Sequence, residues 1–310
     1  MPKPTPPPTF ATVPDYAARL RDALFWAPYV DEVLGRCGLP MEAPLEPGSG
    51  GTFPTFLTGR YVVKFFGEPF HGAACYATEL AVHLLLSSYP EIPAPRLVDH
   101  GHLNGHGSSW PYLITTRIAG TAWHDARLSV VEQLSVAQQL GKVIDQVHRL
   151  PVPVGAAWDR DWLADYRAAC VDRHRLWGAL PPRLVVQIGG FLAAPAPRPV
   201  RHLIHADLHD DHLFVNGAAL VGVIDWGDTL ATDPYYELPP LHLRAFRGDK
   251  RLLRAFLDAY GWQVDSDFAR RAMTMTLVRE FNVLDEVATI VPIEEVATLE
   301  ELACLLWALP

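Results

Sequence analysis

The sequence predicts an α+β chain in two lobes, a small β-rich N-terminal lobe followed by a larger, mostly helical C-terminal lobe. Three observations carry this expectation. Strand-like runs dominate up to about residue 117, long helical patterns dominate after residue 130, and 310 residues that are 49% hydrophobic suffice for two cores. The expected boundaries are a flexible proline-rich tail over 1–13, a first lobe over 14–117 and a second over 118–310, joined by a strap near Arg117 to Thr121.

The opening stretch, MPKPTPPPTF, has five prolines among its first eight residues and favours an extended, polyproline-like tail without a packed role. From Pro14 to about Leu39, Leu20, Leu24, Tyr29 and Leu34 stand at helical spacing. PGSGGTFPTFLTG, from Pro47 to Gly59, is rich in Gly, Thr and Pro and reads as a flexible loop. RYVVKFFG after it is a β-branched and aromatic strand with Lys64 in its middle. GAACYATELAVHLLLSSY is a helix with a single acid, Glu79, and PRLVDHGHL and WPYLITTRI are two more strands. Val130 to Leu150 forms a long amphipathic helix stopped by Pro151, with His148 placed favourably for the helix dipole. Helical segments continue to Ala194, APAPRPV connects, and the short strands RHLIHAD, HLFV and LVGVIDW follow. From Tyr235 to Leu309 nearly everything reads as helix, DFARRAMTMTLVREFNVLDEVA included.

Composition narrows the function classes. With 35 acidic against 26 basic residues and a formal charge of −9, a broad attraction to nucleic acid or to an anionic membrane is excluded, and a cationic partner suits the chain better. The four cysteines, Cys37, Cys75, Cys170 and Cys304, are far apart and form no CxxC pair, so they read as free thiols in a reducing compartment. No run approaches the ~18 apolar residues that span a bilayer, and a soluble, cytoplasmic protein is expected.

The chemistry concentrates in HADLHDDHLFVN, His205 to Asn216, which is compatible with two readings. Asp207, His209, Asp211 and His212 fall on the H-x-H-x-D-H spacing of metallo-hydrolase loops, and imidazole with carboxylate suits zinc. That loop, however, starts with histidine where this chain has aspartate, and runs on through glycine into a helix where this chain has the strand LFV. Phosphoryl transfer needs a glycine loop over the phosphates, a lysine held by an acid, an aspartate for the acceptor hydroxyl and ligands for a divalent ion. The chain supplies Gly48, Gly50 and Gly51, then Lys64, Glu79, Asp207 and finally Asp225 in VIDWGD, in that order.

These motifs resemble the aminoglycoside phosphotransferase and choline kinase superfamily, whose catalytic loop reads H-G-D-x-x-x-x-N and is followed by a strand ending I-D-W or I-D-F. HADLHDDH and IDWGD match it at His205, Asp207 and Asp225. Through KFFGE, WPYLITTRIAGTAW, LGKVIDQVHRLP, LHLRAFRGDKRLLRAFLDAYGW and DFARR, the chain is most similar to hygromycin B phosphotransferases of actinomycete type, over roughly Gly48 to Trp307. The resemblance implies a bilobal protein-kinase-like fold, with nucleotide bound by the first lobe. It implies ATP-dependent transfer of the γ-phosphate, with GTP as the alternative donor and Mg2+ or Mn2+ as the ion. The acceptor would be a hydroxyl of a small molecule, a cationic aminoglycoside such as hygromycin B.

Carried over to this chain, Asp207 is the catalytic aspartate and Asp225 chelates the metal. Lys64, paired with Glu79, contacts the α and β phosphates under the loop of Gly50 and Gly51, and backbone groups near Thr116 and Ile118 hold adenine. His205 is architectural. At the eighth position of the loop the family has asparagine as the second metal ligand and this chain has His212. Three outcomes stay open: His212 binds metal through nitrogen, Asp210 or Asp211 supplies oxygen, or one ion is lost and the chain binds nucleotide or antibiotic without catalysis. His209 is expected to be a solvent-facing bystander. Carboxylates for a cationic acceptor are sought at Asp228 and, on the last helices, at Glu280, Asp285 and Glu286. The expected assembly is a monomer or weak dimer.

Overall fold

The computed structural model describes residues 6–67, 69–103, 110–193 and 200–309. Most of the APAPRPV connector, the first five residues and Glu68 of KFFGE lie outside them. The chain divides into two compact units, Met1–Ala119 with Ile224–Asp228, and Gly120–Val223 with Thr229–Pro310. The short segment around Asp225, expected in the second lobe, thus clusters with the first.

In the first unit, helix α1 (Val13–Arg19) starts at Thr12, whose hydroxyl accepts the Asp15 N–H, and α2 (Ala23–Arg36) starts at Asp22, whose carboxylate accepts the Phe25 N–H. Trp26, Tyr29, Val30, Val33 and Leu34 recur at helical spacing on the buried face of α2. They pack on an antiparallel sheet ordered β1-β2-β3-β5-β4, formed by Glu46–Pro47, Thr55–Thr58, Tyr61–Phe65, Leu97–His102 (β4) and Pro111–Thr116 (β5). Thr55–Thr58 is a strand where a loop was expected. Between Pro54 and Gly59, four residues with alternating burial are too short a signal to separate from the turns around them. Helix α3 (Gly72–Leu86) follows β3.

The proline-rich tail has a packed role after all. Phe10 stands edge-on to Tyr16 with ring centroids 5.4 Å apart and lies 5.9 Å from the Trp110 ring, while the Trp110 indole N–H donates to the Pro8 carbonyl at 2.8 Å. Proline removes backbone donors, which leaves Pro8 a carbonyl to offer and Phe10 its ring, and both are used to close the aromatic core around Trp26.

The second unit is mainly helical, with two small sheets. Strand β6 (Thr121–Ala122) leads to α4 (Val130–His148), opened by a full capping box between Ser129 and Glu132. Five short helices follow, α5 to α9, at Ala156–Asp159, Trp162–Ala168, Cys170–Trp177, Pro182–Val185 and Ile188–Leu192. Strands β7 (His202–Ile204), β8 (Leu213–Asn216), β9 (Ala219–Val223) and β10 (Leu230–Thr232) form the sheets β10-β7 and β6-β8-β9. Among the described residues the remaining α-helices are α10 (Lys250–Tyr260), α11 (Phe268–Val278), α12 (Val287–Ile290) and α13 (Leu299–Trp307). The long helix expected from Asp267 onwards stops at Val278, because Arg279 adopts an extended backbone (ψ 146°) that buries its guanidinium. Among the described residues no helix is long and apolar enough to cross a membrane.

Candidate active site

The first unit holds a cation clasped by two acids. Lys64 alternates along β3 with the buried Val63 and Phe65, so its side chain leaves the opposite face of the strand from theirs. Its ammonium donates to Glu79 Oε2 on α3 and to Asp225 Oδ1, each at 2.8 Å. The rings of Phe66 and Phe53 lie 5.3 and 5.8 Å from the Nζ. These three charged residues are 161 positions apart at the extremes and meet within one compact unit. Burial acts against the charged ammonium, but the carboxylates of Asp225 and Glu79 overcome it and hold Lys64 well above the usual lysine range. Burial also lifts the Glu79 carboxyl above its ordinary range, with Lys64 pulling the other way. Both shifts reflect one cation shared between two acids.

Asp225 occupies left-handed backbone space (φ 62°), and Gly227 follows it in a 3-10 turn over Trp226–Asp228. A side chain at position 227 would place a Cβ 3.2 Å from Glu79 Oε2, so glycine preserves the room around the triad. Asp228 completes that turn. Gly50 and Gly51 lie in the irregular loop between β1 and β2. Gly51 takes a φ of 105° that other residues rarely adopt. The loop is anchored from below by the Tyr16 hydroxyl, which donates to the Thr52 carbonyl at 2.6 Å. Thr116 ends β5, and its N–H donates to the Arg96 carbonyl at 2.9 Å. Ile118 lies in the irregular stretch beyond.

The second unit holds a cluster of its own in the loop between β7 and β8. His205 is fully buried, and its Nδ1 accepts the Asp207 N–H at 3.2 Å. Ala206 is held in left-handed space (φ 69°), a conformation that costs an L-residue about 1–2 kcal/mol. The loop is fixed there by two residues that carry no sequence motif. Glu237, fully buried, accepts the N–H groups of both His205 (2.8 Å) and Ala206 (2.9 Å). Arg279, 2% exposed, donates to the Ala206 carbonyl at 2.6 Å and to the Tyr236 carbonyl at 3.2 Å, with its guanidinium over the Tyr236 ring. His148 belongs to the same support. It is buried against Glu237 (3.4 Å) and the Tyr260 hydroxyl (3.0 Å), not placed for the helix dipole alone. The signals available beforehand were an acid inside the aromatic and proline run DPYYELPP, and an arginine ending the apolar run MTMTLV.

Around Asp207 the side chains converge. His209 Nε2 and His212 Nδ1 lie 3.5 and 3.6 Å from its Oδ2, and Arg279 Nη2 lies 3.8 Å from its Oδ1. Burial would raise the Asp207 carboxyl, but His209, His212 and Arg279 outweigh it and bring it down to about 2. His209 is pushed up to about 9, because Asp207, Asp210 and Asp211 outweigh its own burial. His209 is therefore no solvent-facing bystander. His212 Nδ1 donates to the Asp207 carbonyl at 2.8 Å, tying the eighth position back to the third.

Magnesium takes oxygen ligands. At the eighth position of the loop His212 offers nitrogen, not the oxygen that the resemblance implies there. The acceptor carboxylates also differ from expectation, since none of the three later ones lies within a helix. Glu280 follows the C-terminus of α11 and accepts the Tyr166 hydroxyl at 2.6 Å. Asp285 pairs with Arg244 at 3.2 Å, and Glu286 is exposed in the turn before α12.

A profile described as the phosphotransferase enzyme family matches residues 46–274. Solved structures with the same kinase-like α+β fold include the GDP complex of aminoglycoside 2'-phosphotransferase-IIIa. It is 19% identical, with a TM-score of 0.66 over 92% of this chain and 97% of that one. The aminoglycoside phosphotransferase APH(3'')-Id from Streptomyces rimosus is 18% identical, with a TM-score of 0.58 over 84% of this chain and 98% of that one. The lysine-specific demethylase JMJ21 of Arabidopsis thaliana is 26% identical over 219 residues, which are 54% of this chain and 23% of that protein. The chain thus spans about a quarter of that relative, too little to carry over the activity in its name.

Proposed function

The chain belongs to the phosphotransferase enzyme family, and we propose that within it the chain moves the terminal phosphate of ATP or GTP to a hydroxyl of a small cationic acceptor, an aminoglycoside such as hygromycin B. The observation that carries this reading is the convergence of Lys64, Glu79 and Asp225 at 2.8 Å. A buried ammonium held by two acids is a preformed counter-charge for nucleotide phosphates, and it is costly to keep without such a use. In this reading Lys64 contacts the α and β phosphates below the Gly50–Gly51 loop, and Asp225 offers its carboxylate to a divalent ion. Thr116 and Ile118 border the adenine position, which the Thr116 carbonyl and Ile118 backbone would have to serve.

Asp207 orients the acceptor hydroxyl and receives its proton. With its carboxyl brought down to about 2 it is ionised throughout the neutral range, and Arg279 and Glu237 keep its loop in place. Asp228, Glu280, Asp285 and Glu286 are the carboxylates offered to a polycationic acceptor, in keeping with the net charge of −9. Nitrogen at His212 favours Mn2+ over Mg2+ as the supporting ion.

The reading is tested with γ-labelled ATP and GTP, either ion and a panel of aminoglycosides that includes hygromycin B. Transfer to at least one acceptor, lost in Asp207→Asn, is the expected result. Nucleotide binding without transfer to any acceptor would overturn it in favour of a binding protein, the alternative that His212 in the asparagine position raises.

A further inference from the structure

We infer that the loop carrying Asp207 is also a site for one borderline-soft divalent transition ion, best fitted by Zn2+, held by the Asp207 carboxylate and the imidazoles of His209 and His212. One potential ligand atom from each residue lies within 4.8 Å of the others. Two of the three ligand pairs are already spaced for coordination. His209 Nε2 and His212 Nδ1 stand 3.5 and 3.6 Å from Asp207 Oδ2, and the ligand–ligand edge of a tetrahedral zinc centre with bonds of ~2.0 Å is about 3.3 Å. The two imidazole rings lie with centroids 3.8 Å apart.

The surroundings suit a metal as well as the ligands do. Arg279 engages the other carboxylate oxygen, Oδ1, so both histidines address Oδ2. Behind His209, Asp210 Oδ1 and Asp211 Oδ2 each lie 3.7 Å from Nδ1, near enough to back a metal-bound imidazole once Nδ1, which here accepts the Asp211 N–H at 3.3 Å, carries the ring proton. Asp211 is itself held by His124 Nδ1 at 2.7 Å. Three carboxylates face two guanidiniums here, Arg279 and Arg247, the latter 3.7 Å from Asp210. Side chains of Asp207, His209 and His212 are 22%, 18% and 13% exposed, so an ion can reach them. On binding, His212 gives up its donation to the Asp207 carbonyl and carries its proton on Nε2. The fourth position is filled by water.

Such an ion occupies the oxygen that the acceptor proton needs, so it competes with phosphoryl transfer. That consequence rests on the proposed function; the binding itself does not. The binding is read on the full chain without nucleotide, with Co2+ as the visible probe and Zn2+ as its displacer. The expected result is one equivalent of Co2+ with the absorption of a four-coordinate ion, displaced by Zn2+. Asp207→Asn, His209→Ala and the near-isosteric His212→Asn should each weaken it at least tenfold, with circular dichroism showing each variant folded. No stoichiometric Co2+ signal overturns the site. So does binding that survives Asp207→Asn and His212→Asn unchanged but is lost in Asp210→Asn, which would move the ion to the outer cluster of His209, Asp210 and Asp211. In the transfer assay, Zn2+ at saturating occupancy should reduce the rate at least tenfold, and an unchanged rate overturns the competition. A chain that transfers to no acceptor at all fails the proposed function and leaves the Co2+ result standing.

Discussion

The charged cluster of the first unit and the loop of the second are built on opposite principles. Around Lys64 one buried cation balances two carboxylates at hydrogen-bonding distance, with side chains 14%, 6% and 32% exposed for Lys64, Glu79 and Asp225. Around Asp207 one carboxylate is approached by two imidazoles and a guanidinium, all at 3.5 Å or more. The first arrangement is tight and expensive to disturb. The second is looser, and its backbone is fixed from behind by Glu237 and Arg279 as well as by its own His205 and His212. The difference teaches that damage to the first cluster should register in stability, whereas damage to the second should register in chemistry.

The largest expected effect follows from the second cluster. Asp207→Asn should lower phosphoryl transfer by roughly 10²–10⁴-fold, the range for loss of a positioned proton acceptor, while nucleotide affinity stays near that of the wild type. A fall in both together would erase the distinction. Next comes the first cluster. Lys64→Ala leaves Glu79 and Asp225 facing each other without a cation, and breaking such a buried pair costs about 3–5 kcal/mol, visible as a lower urea midpoint. An unchanged midpoint would mean that the triad contributes nothing to folding.

A smaller effect is expected behind the loop. Glu237→Gln keeps the shape but weakens the acceptor of two N–H groups, a loss of about 1.5–3 kcal/mol for hydrogen bonds to a charged group. Its signature is a slower transfer with little change in nucleotide affinity. Acid should act on both units. Burial pushes His83 in the first unit and His242 in the second down to about 4. Their folded values lie below the unfolded value of 6.5, so the unfolded chain binds more protons between pH 6.5 and 4, and stability falls as pH drops through that window. Each contributes up to about 3 kcal/mol. Replacing His242, which donates to the Leu306 carbonyl at 3.0 Å, with Gln should flatten the urea midpoint between pH 6.5 and 4. The smallest effect is that of Ala206→Gly, which relieves left-handed strain but adds unfolded-state freedom, for a net change within about 1 kcal/mol.

Part of this was legible in the order of the residues and in the family resemblance of their motifs. Lys64 at mid-strand, Glu79 on the next helix and Asp225 at the end of a strand are each unremarkable, yet their order singled them out together, and the resemblance implied the Lys64–Glu79 pair, whereas the contact of Lys64 with Asp225 was not foreseen. The strand Thr55–Thr58 escaped because four residues between turn formers give no period to read. The supports of the loop escaped for a different reason. Glu237 and Arg279 act through backbone groups of His205 and Ala206, and a hydrogen bond to a backbone leaves no mark on the identity of its partner. His209 was misjudged because its neighbours along the chain say nothing of the Asp207 carboxylate that its ring faces across the turn.

The claim at the centre of this account is that the Asp207 loop does phosphotransferase chemistry with nitrogen where oxygen is usual. The measurement that tests it most directly is the transfer rate to a competent acceptor with Mg2+ and with Mn2+, for the wild type and for His212→Asn. The account predicts that the wild type works faster with Mn2+ and that the variant shifts the preference toward Mg2+. A wild type equally fast with Mg2+, and a ratio that His212→Asn leaves unchanged, would contradict it.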